Sequence, residues 1–141
     1  MNAHAYTLLA IVILLFPMLY FLIASLAFFL RKMSDPVVTW MLRGLFNAYF
    51  IALVACGGIG VLAFLAAGRP AVATGLGLLG GCALGARAWF LARLDAAVAR
   101  RDAGDVAAAR RLRRLHVGGI AYNATQAACI IAAIPRIFPG L

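Results

Sequence analysis

The chain is 141 residues long, 66% hydrophobic and only 12% charged, and carries a formal net charge of +9. Soluble domains are about 45–50% apolar and about 25% charged, so this composition, with a mean hydropathy of +1.02, excludes an ordinary water-soluble domain and points to an integral membrane protein. The odd number of cysteines, three, argues against a disulfide framework.

A bilayer core about 30 Å thick takes roughly 20 apolar residues of helix to cross, at about 1.5 Å per residue. Four runs meet that length: residues 5–30, 45–67, 71–91 and 115–135. Lipid offers a backbone no hydrogen-bond partners, and the runs lack the alternation of barrel strands, so helices are expected. The predicted fold is an all-α, antiparallel four-helix membrane bundle, a single transmembrane domain over residues 1–141 with both termini outside.

The first run has no Lys or Arg ahead of it and is far longer than the apolar core of a signal peptide, which is about 7–15 residues. It reads as a retained span, with a kink expected at Pro17 near Tyr20. Arg31, Lys32 and Arg43 follow it, and the second span opens on Arg43, Asn47 and Tyr49 and carries Gly57, Gly58 and Gly60. The short Gly68-Arg69-Pro70 turn makes the second and third spans antiparallel neighbours. In the third span Gly77, Gly81 and Gly85 recur every four residues, widened by Gly75 and Gly80. Such a strip is a helix-packing surface, expected to lie against a neighbour in the same chain, with a seam to a second copy as the alternative.

Arg87 lies near the end of the third span. Residues 92–114 hold seven arginines and three aspartates, and helix is expected to continue through them with a break at Gly104. In the fourth span His116, Gly119, Asn123 and Gln126 follow at three- or four-residue steps, hence on one face, flanked by Tyr122 and Thr125. The arginine-rich connections belong in the cytoplasm by the bias of basic residues toward that side, and Trp40 and Trp89 fall at the same interface.

Two sets of candidate residues emerge. Arg43, Asn47, Tyr49, Arg87, His116, Asn123 and Gln126 are expected to line a polar pocket open to the cytoplasm, which would prefer an anionic ligand; the competing reading makes the amides interhelical glue and lets the arginines snorkel. Arg100, Arg101, Arg110, Arg111, Arg113 and Arg114 are expected to hold anionic lipid headgroups, at about 1 kcal/mol per basic side chain near the surface. No nucleic-acid motif accompanies the charge, so no nucleic-acid partner is expected.

Absences narrow the chemistry further. Asp35, Asp95, Asp102 and Asp105 are the only acidic residues and all lie in connections, which excludes transport coupled to a membrane-embedded carboxylate. His4 and His116 fall at opposite ends of the bundle, which argues against haem held by two histidines and leaves a single axial ligand open. Cys56, Cys82 and Cys129 fall one per span; a soft metal such as Cu(I) is one reading and small apolar packing the other. No metal or catalytic residue is assigned, and the cofactor is left open.

The run Arg113-Arg114-Leu115-His116-Val117-Gly118-Gly119-Ile120-Ala121-Tyr122-Asn123 resembles the last helix of small four-span proteins of the transmembrane-protein-205 type. Leu45-Phe46-Asn47-Ala48-Tyr49-Phe50 is similar to the aromatic stretch opening their second span. The resemblance implies a four-span membrane protein and no particular activity. The function expected is a non-enzymatic component or accessory subunit of a membrane complex, as a homo-oligomer or in a larger assembly. The arginine-over-lysine, alanine-rich composition points to a bacterial inner membrane. The alternatives are a small-molecule or anion binder or transporter, and a membrane oxidoreductase or single-histidine haem protein.

Overall fold

Three connections determine how the apolar runs fold back on one another. The computed structural model describes residues 3–139 as four helices, α1 (Ala3–Phe29), α2 (Pro36–Ala66), α3 (Pro70–Asp102) and α4 (Ala108–Ile137). Between α1 and α2 the Asp35 carboxylate accepts a hydrogen bond from the Val37 N–H at 2.8 Å. Pro36 takes the first helical position, where a missing N–H costs nothing. These two residues start α2 well ahead of its apolar run.

The other two connections share one device. Gly68 has a φ of 68°, and its N–H reaches Leu65 O at 3.0 Å while the Arg69 N–H reaches Phe64 O at 2.9 Å. Gly104 has a φ of 88°, with Gly104 N–H to Arg101 O at 2.9 Å and Asp105 N–H to Arg100 O at 3.0 Å. This paired closure needs a left-handed residue, which glycine adopts without a Cβ clash. Pro70 then opens α3. In the last connection the Asp105 carboxylate accepts the Ala107 N–H at 2.8 Å and turns the chain into α4.

All four helices are long and apolar enough to cross a membrane. They contain 27, 31, 33 and 30 residues, so the longest extends about 50 Å against a hydrocarbon core of about 30 Å. The excess carries the arginines beyond the apolar spans at one end. Large apolar side chains cover the outside, with Phe16 72% and Leu62 69% exposed. A soluble monomer rarely shows continuous apolar surface on that scale; in a bilayer it meets acyl chains. The chain is an integral membrane four-helix bundle.

The helices pack in ring order, α1 against α2, α2 against α3, α3 against α4 and α4 against α1, with the α2–α3 contact the most extensive. A narrow contact joins α2 and α4 across the middle, and α1 and α3 do not meet among the described residues. Aromatic rings fill the centre. Phe46 lies 5.1 Å from Phe21 and 5.3 Å from Phe90, and Phe50 lies 5.9 Å from Phe90, centroid to centroid. Pro17 is buried within α1.

Glycines decide which helices approach closely, and Gly60 of the expected second-span set is one of them, whereas the α3 strip is not. A Cβ built on Gly119 of α4 would stand 2.2 Å from Cζ of Phe46, so the diagonal contact exists only because that position has no side chain. On α2, a Cβ at Gly60 would meet Cδ1 of Leu76 at 2.8 Å. Leu76 of α3 is thus a knob seated in a hollow of α2.

The strip on α3 behaves differently. Gly77 has one ordinary contact, Val61 at 3.8 Å, while Gly81 and Gly85 would meet nothing within 4 Å and are exposed. The expected intrachain seam is therefore replaced by another face of α3, made of Ala73, Leu76, Ala83 and Phe90. Leucine and phenylalanine there offer far more contact per residue to a partner that already has hollows.

Candidate functional site

The seven residues expected around one pocket are divided among separate contacts between helices. At the basic end, Nε and Nη2 of Arg43 on α2 donate to the two carboxylate oxygens of Asp95 on α3 at 2.5 and 2.9 Å, a bidentate pair about half exposed on both sides. One turn further into α2, Asn47 Oδ1 accepts from Nε and Nη2 of Arg87 at 3.0 and 2.7 Å. Across the diagonal, the Tyr49 hydroxyl donates to Gln126 Oε1 at 3.1 Å, and the Gln126 amide donates to the Tyr122 hydroxyl at 3.0 Å. Asn123 is 1% exposed and donates to the Met18 carbonyl of α1 at 2.9 Å. Apart from the Gln126–Tyr122 bond, which lies within α4, each contact ties two helices together with groups that would be costly alone in hydrocarbon.

His116 is fully buried. Its ring lies 5.8 Å from that of Phe28 and 5.1 Å from that of Phe29. Neither nitrogen closes a hydrogen bond of good geometry, and the Ser25 hydroxyl nearby on α1 is likewise unpaired. The predicted face of His116, Gly119 and Asn123 does turn inward. It meets side chains and backbone of α1 and α2 and lines no shared cavity with Arg43 or Arg87.

The grooves point the same way. Arg43 borders one of about 620 Å³ between α1 and α2, Tyr49 another of about 420 Å³ between the same helices, and Asn123 one of about 410 Å³ between α1 and α4. The last two are lined almost wholly by apolar side chains. None of these grooves gathers the polar candidates, because the hydrogen bonds that would have faced a ligand face another helix.

The arginines of the basic end separate into two kinds. Arg113 reaches from α4 to the end of α1, where its Nη1 donates to Phe28 O at 2.6 Å and its Nη2 to Arg31 O at 2.7 Å. Its guanidinium also lies 5.7 Å over the Phe29 ring. It caps the negative end of a helix that has no basic residue in its own last turn. Arg101 holds α3 to the start of α2 through the Thr39 hydroxyl and binds Asp102 at 2.8 Å.

Arg100, Arg110 and Arg114 are exposed and make no hydrogen bond or ion pair among the described residues. Arg111 stands 3.6 Å from Asp105. Arg93, Arg100, Arg111 and Arg114, with Trp89 and Leu115, line a groove of about 270 Å³ between α3 and α4. Arg93 lies 5.3 Å over the Trp89 ring.

Arg93 was not among the sequence candidates for binding. Its signal was spacing: Trp89, Arg93 and Arg100 fall on one helical face, at steps of four and seven residues. Asp95 and Thr39 were missed as partners because pairing across helices has no local signature. Cys82 and Cys129 are exposed and Cys56 half-buried, and no group of three potential metal-binding side chains occurs among the described residues. Compared with known protein families, with curated proteins and with solved structures, the chain matches none.

Proposed function

We propose that the protein is a non-enzymatic component of a bacterial inner membrane. In this reading its four spans serve as a scaffold, and its arginine-bearing end faces the cytoplasm and meets anionic headgroups. The observation that carries it is the pairing of Arg43, Asn47, Tyr49, Arg87, Asn123 and Gln126 across helices. Groups already bonded within the bundle, Arg43 to Asp95 and Asn123 to the Met18 carbonyl among them, are poorly placed to bind or transform a substrate, and displacing them would loosen the bundle. His116 is fully buried beside Phe28 and Phe29 at the end of α1, with no open face toward a groove that a haem could fill. The excess of Arg and Lys in the two connections at one end supports the orientation.

A component of this kind works in an assembly. Extraction in mild detergent is expected to yield a homo-oligomer or a stable larger complex, and a strictly monomeric protein without partners would overturn the reading. Membrane-impermeant labelling of single cysteines placed in residues 92–114 checks the sidedness, with protection in intact cells expected.

A further inference from the structure

Four guanidinium groups around one groove repel one another unless something neutralises them. The chain does so for one of the four, Arg111. It has four acidic side chains in all: Asp35 caps α2, Asp95 holds Arg43, Asp102 holds Arg101, and Asp105 caps the turn into α4 and pairs with Arg111 at 3.6 Å, which leaves Arg93, Arg100 and Arg114 without a carboxylate. None lines the groove. Arg101 and Arg113, one helical face away, found protein acceptors; Arg100 and Arg114 did not. The groove therefore holds positive charge for an anion that comes from outside the chain.

Its position says where that anion comes from. Trp89 and Leu115 lie at the ends of the apolar runs, and Arg100 lies eleven residues beyond Trp89, about 16 Å along α3. The headgroup layer is about 5–8 Å deep on each side of the hydrocarbon core, so α3 crosses all of it and Arg100, lining the same groove as Trp89, approaches it from the aqueous side. An indole at the inner mouth suits the boundary between acyl chain and headgroup, and guanidinium forks suit phosphate oxygens.

We propose that the α3–α4 groove is a binding site for a phospholipid headgroup carrying two negative charges, either a phosphomonoester or paired phosphodiesters. Arg100 and Arg114 grip the phosphate oxygens, while Arg93 and Trp89 border the start of the acyl chains. This rests on the reading of the basic end as the one that meets headgroups, and narrows it from a diffuse attraction to one site on one face.

The test uses the full chain in a neutral detergent containing phosphatidic acid, diphosphatidylglycerol or phosphatidylcholine, with retained lipid counted by native mass spectrometry. The wild type is expected to retain the two anionic lipids at least about tenfold over phosphatidylcholine, and R100Q/R114Q to lose about tenfold or more of that preference, from two contacts of ordinary headgroup strength. R31Q/K32Q removes two exposed charges from the same end outside the groove, and is expected to stay within about twofold of wild type. Equal losses in the two double variants, or none in R100Q/R114Q, would overturn the site while leaving a diffuse headgroup attraction standing. A wild type indifferent to lipid charge would overturn that broader reading as well. Inorganic pyrophosphate added to the aqueous phase separates the two sources of phosphate: displacement only in large excess supports a lipid ligand, and displacement at concentrations matching the lipid's would overturn it in favour of a soluble one.

Discussion

Arg87 on α3 and Arg114 on α4 carry the same charge on neighbouring helices, and the protein treats them in opposite ways. Arg87 lies within a span and is closed on the side-chain oxygen of Asn47; Arg114 lies beyond the spans, exposed, beside three further arginines. In hydrocarbon a guanidinium without an acceptor is costly, so the acceptor must come from the protein. At the surface water and phosphate supply acceptors, and the chain leaves its donors open. The difference marks where this molecule holds itself together and where it meets its surroundings.

The sharpest way to break the interior is at its closest approach. Gly119→Ala places a methyl against the fully buried ring of Phe46, and overpacking of that kind costs about 3 kcal/mol. Gly81→Ala, on the open strip of α3, is expected to change stability by less than about 0.5 kcal/mol. Thermal unfolding of both variants in the same detergent compares them directly; similar losses would mean that α3 packs through its glycine strip after all.

A smaller effect is expected from the polar ties. Asn47→Leu leaves the Arg87 guanidinium without its acceptor and should cost about 2 kcal/mol. Asn47→Leu combined with Arg87→Leu should recover most of that loss, since removing both partners removes the unpaired charge. A double variant no better than the single would show that the pair does not act as a unit.

The smallest contrast lies at the basic end. Arg113→Gln removes two charge-assisted bonds to the end of α1 and should cost about 1.5 kcal/mol. Arg114→Gln, one residue on, should cost less than about 0.5 kcal/mol and act on lipid retention instead. Denaturation in mixed micelles, with retained lipid measured in parallel, sharpens the division between holding and meeting.

What could be read in advance follows from the range of each interaction. The four spans were legible because twenty apolar residues in succession have few other uses, and the turns at Gly68 and Gly104 because left-handed backbone favours glycine. The inward face of α4 was legible from the spacing of His116, Gly119 and Asn123. Partners were not. Periodicity says which residues share a face and nothing about the face opposite, so Asn47 and Arg87, which are paired, looked like two walls of one pocket. The glycine strip misled for the same reason: a run of small residues permits close approach, but Leu76 and the hollow at Gly60 decided where it happened. Among the arginines, neighbours in sequence such as Arg113 and Arg114 point to different surroundings, a distinction that net charge cannot carry.

The cap that Arg113 places at the end of α1 links the first of the four helices with the fourth. Without α4 the Phe28 carbonyl keeps only its bond from the Arg31 N–H, the Arg31 carbonyl loses its Arg113 donor, and the Met18 carbonyl loses Asn123. Closure therefore awaits the fourth span, and a chain truncated before residue 113 is expected to leave α1, α2 and α3 with an open side.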